Sequence, residues 1–173
     1  SCYNTNKRYI AMKNKFVCLA LALQLSAASA APQDHTQQIQ IDADNLSSVT
    51  ENVLTYSNNV LIRQGSISIK ADKLEINASA GKGKEVYSVF GTPVSYSQQL
   101  QDGKTVNAYA SEMRYEPANR TLTLSGDAEL AQSGSIVKAS TIRYNVETQE
   151  LNAASDSSRR VTTIITPEDN QQP

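Results

Sequence analysis

The sequence predicts an all-β fold of antiparallel strands, and three observations carry that reading. Apolar and polar residues alternate in short runs, so residues two apart share a face as they do in a half-buried strand. β-branched residues are spread along the chain. Gly, Asn, Asp and Ser punctuate the runs at intervals suited to hairpins.

The N-terminal region is set apart from that pattern. Met12, Lys13 and Lys15 precede the apolar run Phe16–Leu25, and Ala28-Ser29-Ala30 follows, which is the layout of a secretory signal peptide cleaved after Ala30. The run is shorter than the roughly 20 residues that a membrane-spanning helix requires. Ser1–Ala11 fit no targeting pattern, so residues 1–30 are expected to be an upstream extension plus a cleaved signal peptide. Cys2 and Cys18 lie within them, which leaves a secreted domain without disulfides, dependent on its own core or on association. Lys7, Arg8, Lys13 and Lys15 also leave while no acid does. The remaining chain is acidic, which argues against sequence-independent nucleic-acid binding. Residues 31–37 are expected to be a mobile N-terminal segment, 38–166 a single β domain, and 167–173 a disordered tail.

Taken in order, Ile39-Gln-Ile41 opens the domain. Leu46, Val49, Val53 and Leu54 also fit a helical stripe, but the Ser, Thr and Asn between them are poor helix formers, so the segment is read as strand. Leu54-Thr-Tyr56 and Val60-Leu-Ile62 flank a turn expected at Asn58-Asn59, and Ile67-Ser-Ile69 follows a turn at Gln64-Gly65. Leu74-Glu-Ile76 leads into Gly81-Lys-Gly83, and Val94-Ser-Tyr96 into Asp102-Gly103. Met113-Arg-Tyr115 and Leu122-Thr-Leu124 come next, with a turn expected at Gly126-Asp127. Ile142-Arg-Tyr144 and Val161-Thr-Thr-Ile-Ile165 complete the set.

The chain is also internally duplicated. Leu54-Thr-Tyr-Ser57 matches Leu122-Thr-Leu-Ser125, Gln64 matches Gln132, and Gly65-Ser-Ile67 matches Gly134-Ser-Ile136 across a small gap. Lys70-Ala71 matches Lys138-Ala139, and Asn77 matches Asn145. A period of about 68 residues is too long for one rung of a solenoid, so each copy holds several strands. Two such sets along one axis give an elongated two-sheet roll whose unclosed ends expose unpaired backbone groups.

Little in the chain supports catalysis. His35 is the only histidine and falls in the expected tail, and cysteine is confined to residues 1–30, so neither a metal cluster nor a Ser–His pair can be assembled. Gly103-Lys-Thr105 resembles the end of a phosphate-binding loop, but Gln98 stands where that loop needs Gly. No enzyme activity, cofactor or metal is expected.

Several segments together resemble the LptA, OstA-like family of periplasmic lipopolysaccharide transport proteins. They are Ile39–Asp44, Asn58–Val60, Gly65–Lys73, Gly83–Val86, Gly91–Pro93, Asp102–Lys104, Ala110–Tyr115, Leu124–Ala128 and Arg160–Thr163, and the similarity runs from about Gln37 to Pro167. The resemblance implies a twisted, V-shaped antiparallel β-jellyroll, open at both ends, whose interior is a slot for the acyl chains of lipid A. It implies a head-to-tail homo-oligomer that bridges an inner-membrane complex, entered through LptC, and outer-membrane LptD. It places lipid contacts on Ile39, Ile41, Tyr96, Tyr115 and Leu124. Tyr96 departs from a member of the family that has Phe there, and the phenol requires a hydrogen-bond partner.

Alternation alone favours a closed core, and only the resemblance turns these faces into a lining. Burying a methylene is worth about 0.8 kcal/mol, so one acyl chain of about a dozen carbons gains ~10 kcal/mol on leaving water. Exchange between membrane and groove gives no direction, and the chain holds no energy source, so it reads as a passive conduit. Lys82, Lys84, Arg159 and Arg160 are candidates for lipid phosphates, although charges beside turns are ordinarily solvated. The alternative is an OstA-type adaptor that assembles edge to edge without carrying lipid.

Overall fold

A computed structural model describes residues 33–156 and 158–167. The signal peptide expected at 1–30 and most of the C-terminal tail lie outside these residues. Ten strands follow in order: β1 (Ile39–Asp42), β2 (Asn45–Val49), β3 (Val53–Gln64), β4 (Ile67–Asn77), β5 (Val86–Gln99), β6 (Thr105–Glu116), β7 (Thr121–Gln132), β8 (Ser135–Asn145), β9 (Leu151–Ala154) and β10 (Thr162–Ile165). Every pairing is antiparallel. The strands form one hydrogen-bonded sheet in the order β1-β3-β4-β5-β6-β7-β8-β10, with β2 also on β3 and β9 also on β8. No helix among the described residues is long and apolar enough to cross a membrane.

The long strands β3 to β8 are each interrupted near their middle, where the register shifts. These shifts align into a crease that divides the sheet into two layers. The upper layer holds β1, the halves of β3 to β8 nearest Gln64 and Ile67, and β10. The lower layer holds β2, the other halves, and β9. The sheet folds back on itself along the crease. Tyr115 lies three strands from Gln64 and in the other layer, level with Leu54 on β3, so a flat sheet would hold them roughly 35 Å apart, yet their side chains hydrogen-bond. The apolar inner faces of both layers meet in one core that includes Ile62, Ile69, Leu74, Val89, Met113, Leu122 and Ile142.

Two turns expected from the sequence are corrected here. Asn58-Asn59 lies inside β3 and Gly126-Asp127 inside β7; the chain does not reverse at either. All four residues have positive φ, from 48° to 79°. In each case two residues face a single partner residue across the register shift, which is a bulge that bends the strand. Left-handed residues serve hairpins and bulges alike, so the local signal was correct and the topology assigned to it was not. The turns at Gly65, at Gly81–Gly83 and at Asp102-Gly103 do connect successive strands.

The duplication appears as a repeated pair of strands. β3 and β4 recur as β7 and β8 with the same lengths and the same 68-residue offset, and both pairs close through two-residue loops. No gap is needed: Ser135, not Ile136, occupies the position of Ile67.

Of the segment expected to be mobile, 31–37, residues 33–37 are described. Asp34–Thr36 form a 3-10 turn packed on the fold. The Asp34 carboxylate accepts hydrogen bonds from the Ser66 amide at 2.7 Å and from the Ser66 hydroxyl at 2.8 Å. These partners are 32 residues away, which composition cannot reveal.

Candidate functional site

The space between the layers is the most distinctive environment in the fold, and the five residues singled out from sequence converge on it. Ile39 and Ile41 point inward from the edge strand β1, opposite Gln64 and Ile62. Tyr96 lies on the upper half of β5, beside Ile69 and Ala108. Tyr115 and Leu124 belong to the lower layer, on β6 and β7. Tyr96, Tyr115 and Leu124 are 1, 1 and 0 % exposed, while Ile39 and Ile41 are half-buried against the same core. Beside these two isoleucines, a cleft of about 600 Å³ runs along β1 between Gln38 and Gly65.

The phenols define the side of the interior away from the crease. Tyr96 finds the partner its hydroxyl requires: it donates to Gln98 Oε1 at 2.9 Å. Tyr144 donates to the same oxygen from the opposite layer at 3.2 Å, and the two rings pack edge to face with centroids 6.4 Å apart. Tyr115 donates to Gln64 Oε1. Burial holds the Tyr96 and Tyr115 hydroxyls well above the usual phenol range and pushes Tyr144 up to about 12, with the Asp34 carboxylate adding to each. The two glutamines are 3 and 4 % exposed, and their amide nitrogens are also satisfied. Gln64 Nε2 donates to the carbonyls of His35 and Gln37, and Gln98 Nε2 to Val146 O and Asp34.

These glutamines were not among the candidates from sequence. Gln98 continues the inward alternation of Val94 and Tyr96, and Gln64 recurs in the duplication as Gln132; those were the available signals.

The candidate phosphate ligands do not converge. Lys82 and Lys84 sit in the exposed β4–β5 turn, and Arg159 pairs with Asp127 on the surface. Among the described residues, no group of three or more His, Cys, Asp or Glu is placed to hold a metal.

The interior is not centred, because the layers are skewed. Away from the crease, upper β3 faces lower β6 and upper β5 faces lower β8. The lower layer therefore overhangs at the β2 end and the upper layer at the β10 end. Leu46 and Val49, inward-facing on β2, are 52 and 64 % exposed, and Ile165 on β10 is 70 % exposed.

Comparison with known proteins agrees with this architecture. Residues 40–150 match the family described as LptA/(LptD N-terminal domain) LPS transport protein. The lipopolysaccharide export system protein LptA of Haemophilus influenzae is 42 % identical over 165 residues, covering 93 % of this chain and 96 % of that protein. LptA of Escherichia coli K12 is 40 % identical over 155 residues, covering 86 % and 84 %. The crystal structure of LptH, the LptA-homologous periplasmic component of the lipopolysaccharide transport device of Pseudomonas aeruginosa, superposes with a TM-score of 0.71 at 23 % identity. It covers 79 % of this chain and all of that one, and so shares the fold. The chain belongs to the LptA and LptD N-terminal domain family of lipopolysaccharide transport proteins.

Proposed function

We infer that this protein is a periplasmic carrier segment that shields the acyl chains of lipopolysaccharide between its two layers as the lipid passes from the inner to the outer membrane. The observation that carries the reading is the continuous apolar inner face, from Ile39 and Ile41 at one edge through Tyr96, Tyr115 and Leu124, bounded by strands that leave both edges of the sheet open. The interior is closed by packing in this state, so acyl chains enter by parting the layers. Acyl methylenes then replace the separated side-chain contacts, apolar for apolar, and each methylene kept in the groove is spared the cost of about 0.8 kcal/mol for meeting water. The protein acts without catalysis, cofactor or metal.

Strand direction supports head-to-tail assembly. Each layer has eight strands of alternating direction. Placed against a second copy, β10 meets β1 antiparallel in the upper layer, and β9 meets β2 antiparallel in the lower. The overhangs are complementary as well: the inner face of β10, with exposed Ile165, extends over the lower layer of the next copy, and the exposed Leu46 and Val49 of that copy come under the upper layer of the first. Joined in this way, the groove runs through successive copies towards LptC at the inner membrane and LptD at the outer.

Delipidated protein mixed with lipopolysaccharide and separated by size tests the carrier function. A stoichiometric complex is expected; folded protein that assembles end to end yet retains no lipid would favour the adaptor reading.

A further inference from the structure

The interior has a long side opposite the crease, where the free ends of the two layers approach each other. Two buried glutamines span it. Gln64, on the upper layer, accepts from Tyr115 of the lower layer. Gln98, also upper, accepts from Tyr144 and donates to the carbonyl of Val146, both lower. Each glutamine spends its remaining hydrogen-bonding capacity on one short segment. Gln64 Nε2 donates to His35 O at 3.2 Å and to Gln37 O at 3.0 Å. Gln98 Nε2 reaches Asp34 Oδ2 at 3.2 Å. The Asp34 carboxylate also holds the amide and hydroxyl of Ser66 in the β3–β4 loop. The approach is close enough that a Cβ on Gly65, whose φ is +57°, would collide with that carboxylate. A cleft of about 690 Å³ lies alongside, between the 3-10 turn, Leu100–Gly103 and Val146–Gln149.

We propose that the 3-10 turn Asp34–Thr36 is a latch on this long side, with Asp34, Gln64 and Gln98 as its positioning residues, and that its release admits acyl chains between the layers. With its flank it bonds the upper layer alone, through Gln64, Ser66 and Gln98, and so fixes the two glutamines in the pose that reaches the lower layer. None of Asp34–Thr36 is buried or belongs to the core, so the turn can leave without dismantling it. Its bonds are polar and face a cleft, where water can replace them. The apolar contacts deeper in the interior cannot be replaced by water, but they can be replaced by lipid.

The latch is also connected to assembly. Gln37, which Gln64 holds, is two residues from the start of β1, and β1 is the outermost strand of the upper layer. A strand added to the β1 edge bears directly on the segment that carries the latch. Docking of a neighbouring copy and opening of the long side are thereby coupled, so an unpaired segment keeps its interior closed.

The proposal rests on the carrier reading for its lipid arm, and a lipid-free measurement separates the two. Asp34→Ala removes the carboxylate and leaves the layers' own contacts in place. Ser66→Ala is a milder variant that removes one of its donors. Tetranitromethane modification mapped by mass spectrometry over a series of pH values, with rates expressed per phenolate so that loss of the Asp34 charge does not itself count, reports access to Tyr115 and Tyr144, with exposed Tyr109 as internal reference. Uptake of rough-type lipopolysaccharide labelled with a fluorophore on its sugar reports lipid entry.

The expected result is faster nitration of Tyr115 and Tyr144 in Asp34→Ala, by about tenfold or more given the strength of hydrogen bonds to a carboxylate. Lipid uptake should accelerate by a similar factor with the same saturating amount, and Ser66→Ala should fall between. Unchanged nitration in folded Asp34→Ala would overturn the latch whatever the lipid does. Faster nitration with no lipid uptake by parent or variant would support the latch as a structural device and sink the carrier reading instead.

Discussion

The hydrogen bond between Tyr115 and Gln64 joins the two layers in the middle of the fold, and removing its donor has a calculable effect. Tyr115→Phe keeps the ring and its contacts with Tyr87 and Leu122 but deletes the hydroxyl. Gln64 is 3 % exposed. Its amide nitrogen remains bound to the two carbonyls of the N-terminal segment, so the side chain cannot turn to find another donor. A buried carbonyl oxygen left unpaired costs ~1–3 kcal/mol. For a domain of this size the melting temperature should fall by roughly 3–10 °C. Thermal denaturation followed by far-ultraviolet circular dichroism measures the shift, with Tyr109→Phe on the exposed outer face as a control expected to change nothing. The double variant Tyr115→Phe with Gln64→Leu should recover part of the loss, because both partners are then apolar. A melting temperature within 1 °C of the parent for Tyr115→Phe would refute the cross-layer bond, and a double variant whose loss equals the sum of the singles would refute the coupling.

Three further outcomes follow from the same structure. Tyr96, Tyr115 and Tyr144 are neutral in the fold to higher pH than in the unfolded chain, where phenols ionise near 10; their stabilising contribution is complete below pH 10 and is lost as pH rises towards and through 12, so melting temperature should drop steeply in that window. A flat profile from pH 9 to 12 would contradict their burial. Gly126→Ala places a Cβ 2.5 Å from Ser111 Oγ at a φ of +79°, and a strained crease of this kind costs about 1–3 kcal/mol by chemical denaturation; an unchanged midpoint would mean that the bulge relaxes freely. Ile165→Lys, or Leu46→Lys with Val49→Lys, puts charge on the overhangs without touching the core, and sedimentation velocity should show loss of concentration-dependent assembly at unchanged melting temperature. A parent protein that is monomeric at high concentration would refute the joint outright.

Much of this architecture was legible in the sequence, and the reasons are local. Alternation placed strands at Ile39–Ile41, Ile67–Ile69 and Met113–Tyr115, and the 68-residue repeat foreshadowed β3 and β4 recurring as β7 and β8. The crease was not legible, because Asn58-Asn59 and Gly126-Asp127 carry the same left-handed signal for a bulge as for a hairpin. Only pairing with one partner strand on both sides of the signal distinguishes the two, and pairing is a long-range property. The inner lining was legible as a set of faces: Tyr96, Tyr115 and Leu124 do share one interior. Its closure by Gln64 and Gln98 was half-visible in the parity of Gln98 with Tyr96. The role of Asp34 left no trace, since its partners Ser66 and Gln98 lie 32 and 64 residues away.

The central claim is that the space between the layers holds acyl chains, and site-specific photocrosslinking tests it most directly. A photoreactive side chain at Leu124, on the inner face, and another at Tyr109, on the outer face, are each exposed to lipopolysaccharide in folded protein. Lipid adducts at 124 and none at 109 are expected; no adduct at 124, or equal adducts at both, would contradict the claim.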